Sequence, residues 1–194
     1  MAIQPLSIST DMPEISLANL SMILGIMALA KGVYFITAGK KAREMIKAFP
    51  RNDNAGYLLI LISMVWFLLI LKDENMADFE KYRTAFNAFI LATGIGSCLY
   101  LKDYLAVRGA AVLMMLIAKL IVDTARFHES EWRLVLVTAA YLMVIGGMWF
   151  TVSPWRMRDL FTWGTADEKR FKILCGVRIG FGILLLVLGL FEFK

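Results

Sequence analysis

One histidine, two cysteines and four prolines are all that 194 residues contain of those types. Zinc and haem sites usually draw on several His or Cys ligands, so no cofactor or metal is expected. His128 stands alone in the short connection "RFHESEWR", where a solvated residue is expected, and Glu129 and Glu131 beside it have no ligand spacing. Cys98 and Cys175 fall inside apolar runs and are expected to be small hydrophobes, not a disulfide. G-x-S-x-G, H-E-x-x-H, a P-loop and a Gly-rich dinucleotide fingerprint are all missing. No set of acid, base and nucleophile is visible. Ser97 and Cys98 in "TGIGSCLY" adjoin Gly94 and Gly96, which are better explained by close helix packing or a local break. The opening "MAIQPLSISTDMPEIS" has no basic n-region, so the first apolar run is expected to stay as a span.

What is present is apolar. Hydrophobic residues make up 59% of the chain, charged residues 19%, and the mean hydropathy is +0.66. Soluble domains run near 45–50% apolar and about 25% charged. The excess lies in long runs separated by short charged stretches, the pattern of an integral membrane protein. The connections are too short for a soluble domain. A single all-α membrane domain over 1–194 is expected, with 1–16 as an outer N-terminal segment. A span needs roughly 20 mostly apolar residues. Six are expected, near 17–38, 55–71, 84–101, 108–127, 132–152 and 171–191, as an up-and-down bundle.

The net charge of +5 is not a nucleic-acid signal, because the basic residues adjoin apolar runs. They do report orientation. Lys40, Lys41, Arg43, Lys47, Arg51, Lys102, Arg108, Arg156, Arg158, Lys169 and Arg170 fall on one side of the six-span scheme. The other side has Lys72, Lys81, Arg83, Arg126, Arg133 and Lys194. It also gathers acids: Asp73, Glu74, Asp78, Glu80, Glu129 and Glu131, with Asp11 and Glu14 ahead of the first span. The positive-inside rule then places three connections in the cytoplasm and both termini outside. Trp132 and Trp149 near the ends of the fifth span, and Trp155 and Trp163 in the next connection, fit interfacial aromatic belts.

Two of the basic connections resemble each other. "GVYFITAGKKAREMI" from Gly32 aligns without gaps on "GMWFTVSPWRMRDLF" from Gly147. Gly32, Tyr34, Phe35, Lys41, Arg43, Glu44, Met45 and Ile46 meet Gly147, Trp149, Phe150, Arg156, Arg158, Asp159, Leu160 and Phe161. One explanation is convergence, since inner helix ends tend to be aromatic and then basic. The other is an ancestral hairpin present two or three times in parallel, with Gly56, Gly109 and Gly176 opening the returning helices. Parallel copies lack the inverted symmetry of many carriers.

Charges within spans are costly and need partners. Lys119 and Asp123 are four residues apart on the fourth span and share a face. They form either an ion site or a structural pair facing the bundle interior, with Asp123 near the outer boundary. Lys31 and Arg178 lie toward the basic ends of their spans and can snorkel. Arg178 sits between Gly176 and Gly180, a spacing that invites helix contact, and could also pair with Asp123 or hold a lipid phosphate.

"KKAREMIKAF" puts Ala42, Met45, Ile46 and Phe49 at helical spacing. "SPWRMRDLFTW" opens with Ser153 as expected N-cap and Pro154 as first helical residue, and Trp155, Met157, Leu160 and Phe161 can share a broad face. Both are expected to be short interfacial helices. Lys40, Lys41, Arg43, Lys47, Trp155, Arg156, Arg158 and Trp163 would contact anionic headgroups of the bilayer, or a membrane partner or second copy of the chain.

The C-terminal third, from Tyr141 to Phe193, resembles short two-span bacterial inner-membrane proteins of unknown function. The resemblance rests on a glycine-containing span, "SPWRMRDL", and a second span ending "GFGILLLVLGL". It implies a bacterial inner-membrane setting and no activity. The expected function is a non-catalytic accessory or scaffold subunit of a membrane assembly. The alternative is a small transporter or channel using Lys119, Asp123 and Arg178, and a lipid-directed enzyme ranks third.

Overall fold

The computed structural model describes residues 16–73, 77–101, 103–126 and 128–193. Asp11, Glu14, Glu74, Lys102 and Lys194 from the charge comparison lie outside the described residues, as do the side chains of Asp73 and Asp78. All regular structure among the described residues is helical. Helix α1 is Leu17–Ala48, α2 Asp53–Asp73, α3 Arg83–Tyr100, α4 Leu105–Ala125, α5 Arg133–Val152, α6 Trp155–Ala166 and α7 Glu168–Val187. A π turn over Leu188–Glu192 continues α7, and 3-10 turns cover Phe49–Arg51 and Ala77–Tyr82. Each expected span coincides with one helix, and "SPWRMRDLFTW" forms the seventh. Five helices, α1, α2, α4, α5 and α7 with its π turn, are long and apolar enough to cross a membrane. The remaining long helix, α3, is diluted by Arg83, Thr84, Asn87, Thr93 and Ser97.

Polar side chains start three of these helices by accepting orphan backbone N–H groups. Ser16 Oγ accepts from Asn19 N at 3.2 Å, and Asn52 Oδ1 from Ala55 N at 3.0 Å. Asp167 Oδ1 accepts from Lys169 N at 3.3 Å. The expected serine cap of α6 is not made: the helix begins at Trp155, Pro154 occupies the cap position, and no side chain caps it. Proline already lacks an N–H, so one orphan donor is removed without a cap.

Gly39 breaks α1 at φ 49° and ψ −108°. The apolar run before it ends there, and the basic segment after it leaves in a new direction. A side chain at Gly39 would meet nothing within 4 Å, so only backbone conformation keeps glycine there. Gly39→Ala is therefore expected to cost about 1 kcal/mol, or to straighten α1 and pull Lys40–Ala48 off the basic end. Cysteine-pair spin-label distances between residues 26 and 45 would separate the two outcomes, and an unchanged distance with unchanged stability would contradict both.

The packing centres on α4, which holds α5 on one side and α2 on the other and touches α1. α1 packs antiparallel on α7, the first spanning helix on the last. These seams are built on small residues seven apart. On α1 they are Ala18, Gly25 and Gly32, and on α7 Cys175, Gly182 and Gly189. On α4 they are Ala111, Ala118 and Ala125, facing Ala140 and Gly147 of α5. A seven-residue period keeps one stripe against a neighbour crossing at about 20°. The backbones consequently touch: a Cβ at Gly25 would lie 2.9 Å from the Gly182 carbonyl oxygen, and one at Gly147 would lie 3.0 Å from that of Ala111. Buried hydroxyls are satisfied across seams, with Ser21 Oγ donating to the Leu185 carbonyl at 2.6 Å and Ser63 Oγ to that of Gly109 at 3.4 Å.

Pairing sets relative direction. Gly56 near the start of α2 meets Leu105 and Ala106 at the start of α4, and Gly109 meets Leu59 and Ile60. α2 and α4 therefore run parallel. Gly94 of α3 abuts Met64 of α2, so α3 lies alongside α2.

Candidate functional site

The connections gather into two ends. The first end is basic, formed by the last turns of α1, the turn Phe49–Arg51, the start of α4, the end of α5, α6 and the start of α7. Its contacts are specific. Arg158 Nη1 donates to Tyr104 Oη at 2.9 Å, joining α6 to the turn before α4. Tyr104 adopts φ 58°, a left-handed conformation unusual for a tyrosine, and the Arg158 guanidinium lies 5.9 Å from its ring centroid. Asp159 hydrogen-bonds the Arg158 guanidinium and, with Tyr104, raises its pKa above the ordinary arginine value. Arg108 Nη1 donates to the Thr151 carbonyl at 3.4 Å, tying α4 to α5. Arg43 lies 4.0 Å from Glu168, which also takes Lys172 at 2.7 Å. The Phe49 and Phe161 rings meet edge to face at 6.3 Å.

The two expected interfacial segments both lie at this end. In the first, Ala42 is buried with Phe171 and Cys175, and Ile46 packs against them. Met45, expected on the same face, is exposed, as are Lys40, Lys41 and Lys47. In α6 the inward face is Met157, Phe161, Gly164 and Thr165. Trp155 and Leu160, expected on that face, point out with Arg156 and Trp163. The reason is spacing: positions 157, 161, 164 and 165 form one helical stripe that 155 and 160 straddle. Trp163 is not bare, since the Arg170 guanidinium lies 4.5 Å from its ring centroid and donates to its carbonyl.

The intramembrane charges do not converge. Lys119 Nζ sits 2.6 Å from Asp123 Oδ2, but the pair does not face the bundle interior: the side chains are 39% and 54% exposed. Lys119 borders a recess of about 150 Å³ with Phe67, Ile70, Leu71 and Leu116, between α2 and α4. Arg178 does not pair with Asp123, which is held by Lys119 toward the opposite end of the bundle. Its electrostatic neighbour is Lys31. Gly176 and Gly180 do not make the expected helix contact, for a Cβ at either meets nothing within 4 Å; Gly182 and Gly189 make it instead. Of the glycines in "TGIGSC", Gly94 packs closely and Gly96 is open, and α3 is unbroken there.

No family model, curated protein or solved structure matches this chain. Function therefore rests on the geometry.

At the opposite end His128 is half-buried. Its ring packs edge-on against Phe193 at 5.2 Å, and its Nδ1 accepts from Ser130 N at 3.2 Å. Cys98 and Cys175 are both free thiols. No group of three or more His, Cys, Asp or Glu positioned for a metal occurs among the described residues. The site features missed by sequence reasoning are the seven-residue stripe of small residues and the Lys31–Arg178 neighbourhood. The first was legible as a period. The second needed the register of α1 on α7.

Proposed function

We propose that this chain is a non-catalytic accessory or scaffold subunit of a membrane assembly, crossing a bacterial inner membrane six times with both termini outside. The observation that supports a partner is α3. It buries no residue, packs mainly on α2 and its own entry turn, and carries Arg83, Thr84, Asn87, Thr93 and Ser97 in an otherwise apolar sequence. Polar groups in a span normally face a neighbouring helix, since lipid cannot satisfy them. A second subunit along α3 supplies that neighbour. The exposed Lys119–Asp123 pair is a second polar feature that protein contact would cover.

The sixth crossing is supported by the parallel register of α2 and α4, because α3 must return through the same thickness between them. Its 18 residues give a length of about 27 Å, close to the hydrocarbon core. The hairpin repeat enters the proposal only at the basic-end segments, since Gly32 faces α7 whereas Gly147 faces α4. Transport ranks below assembly because Lys119, Asp123 and Arg178 line no common path.

A photo-reactive side chain at Phe89, which is 69% exposed on α3, tests the assembly reading. After gentle extraction, native mass is expected above the 21.9 kDa of one chain, with the Phe89 probe crosslinking to the added subunit. A probe at Val177 of α7 is expected to leave that subunit unlinked. An isolated monomer, or equal crosslinking from both positions, overturns the proposal.

A further inference from the structure

Two segments of the basic end pack on the first two turns of α7. From α1, Ala42 and Ile46 meet Phe171 and Cys175. From α6, a Cβ at Gly164 would lie 3.1 Å from Leu174 Cδ1. Leu174 is about 9 Å along α7 from Glu168. The Arg170 guanidinium lies 4.5 Å from the Trp163 ring centroid and donates to the Trp163 carbonyl at 3.0 Å. α6 therefore lies back beside α7 instead of projecting from its end. Ile173 and Val177, next to this contact, are exposed apolar residues of a helix long and apolar enough to cross a membrane. That puts α6 at the level where such a helix leaves the hydrocarbon core.

The outward side of α6 combines rings with charge. Trp155, Leu160 and Trp163 are each about half exposed. With 3.6 residues per turn, these three and Arg156 fall within about 140° of the helix surface. Indole rings favour the headgroup layer, where the ring body meets apolar groups and the N–H meets polar ones. Asp159 shares the arc, but its Oδ1 accepts from Arg158 Nε at 3.0 Å and Nη2 at 2.8 Å, so its charge is already offset. Glu168 is held by Lys172 at 2.7 Å, with Arg43 at 4.0 Å. Lys40, Lys41, Lys47, Arg51, Arg156 and Lys169 are exposed and form no ion pair with any described acid. They outnumber the acids left unpaired at this end, Glu44, Asp53, Asp103 and Asp167. The excess charge is positive and surrounds an aromatic edge.

We propose that α6 and residues 40–48 form one docking surface for anionic phospholipids of the basic-side leaflet. Trp155, Leu160 and Trp163 sit among the glycerol and upper acyl groups, and Arg156, Lys169, Lys40 and Lys41 meet lipid phosphates. Each unpaired cation attracts negative headgroups, so anionic lipid collects at this end in preference to zwitterionic lipid. A soluble protein partner would need the same rings beyond the helix ends, whereas the contact of Gly164 with Leu174 sets them beside α7. The surface rests on α1, α5 and α7, so it does not depend on the assembly reading.

The test is tryptophan quenching in the full chain, reconstituted in vesicles of phosphatidylcholine and phosphatidylglycerol in equal parts. Each lipid in turn carries bromine on its upper acyl chains. Trp66→Phe, Trp149→Phe and two further Trp→Phe changes leave a single ring at Trp155, at Trp163 or, as a control at the opposite end, at Trp132. Trp155 and Trp163 are expected to be shielded from aqueous acrylamide. They are expected to be quenched at least about three-fold more by brominated phosphatidylglycerol than by brominated phosphatidylcholine. Trp132 is expected to show no such preference. Lys40→Gln/Lys41→Gln/Arg156→Gln/Lys169→Gln is expected to abolish the preference at α6, and Lys40→Arg/Lys41→Arg/Arg156→Lys/Lys169→Arg to keep it. Equal quenching of the α6 rings by the two lipids, a preference that survives loss of the four cations, or the same preference at Trp132 overturns the proposal. Rings open to acrylamide and untouched by bromine overturn it in favour of a face for a soluble partner.

Discussion

Gly25→Leu or Gly182→Leu is expected to lower stability by about 1–3 kcal/mol, the usual cost of overpacking, with loss of the α1–α7 seam. The physical cause is backbone contact. A Cβ at Gly182 would stand 3.0 Å from the Gly25 carbonyl oxygen and 3.0 Å from the Leu29 amide nitrogen. A flexible side chain can move aside, but a helix backbone moves only as a whole. Separating the helices would also strip Ser21 from the Leu185 carbonyl. The informative comparison is with Gly176→Leu and Gly180→Leu on the same helix, where a Cβ meets nothing within 4 Å. Those are expected to stay within about 0.5 kcal/mol of wild type, as exposed substitutions do. Unfolding in mixed micelles of rising sodium dodecyl sulfate content measures all four. Equal losses at the four glycines would mean that α1 and α7 do not pack in this register.

The second large effect is all or none. In a variant lacking native thiols (Cys98→Ser, Cys175→Ala), Asp103→Cys and Asp167→Cys are expected to resist a membrane-impermeant maleimide added outside cells. Glu129→Cys is expected to label fully under the same conditions. Residue 103 is decisive, because it lies between α3 and α4. If α3 crosses, residue 103 shares the side of the Phe49–Arg51 turn, and residue 167, two spans further on, shares it too. Labelling of residues 103 and 167 with protection of residue 129 would leave α3 in the outer interface and reverse the placement of everything after it. The parallel pairing of Gly56 with Leu105 and Ala106 argues for the crossing.

The long helices were legible in the sequence because hydropathy is a local property. Leu17–Ala48, Asp53–Asp73 and Arg133–Val152 begin within two residues of the expected runs. The division of α1 was foreshadowed as well, since "AGKKA" changes from apolar to basic at Gly39. Neighbour choice was not legible by the rule applied. A four-residue glycine spacing drew attention to Gly176 and Gly180, whereas the contacts use a seven-residue spacing through Cys175, Gly182 and Gly189. Both spacings lie on a helix face, and only the register against α1 selects between them. The burial of Met157 in place of Trp155 has a similar origin: two apolar stripes exist on α6, and tertiary contact with α1, α5 and α7 decides which turns inward. Lys119 and Asp123 were correctly expected to share a face, but which way that face points is set by α2.

The pairing of the first spanning helix with the last also bears on biogenesis. A ribosome adding about 5–20 residues per second takes on the order of ten seconds or more between Gly25 and Gly182. Through that interval α1 stands in the bilayer with its small-residue face open, while α4, α2 and α5 can already associate. Insertion machinery or a neighbouring subunit that shields this face would act on the nascent chain rather than on the finished protein. A transcript truncated before α7 would yield a product whose central helices are assembled and whose first helix is left without its mate, a form suited to recognition by membrane proteases.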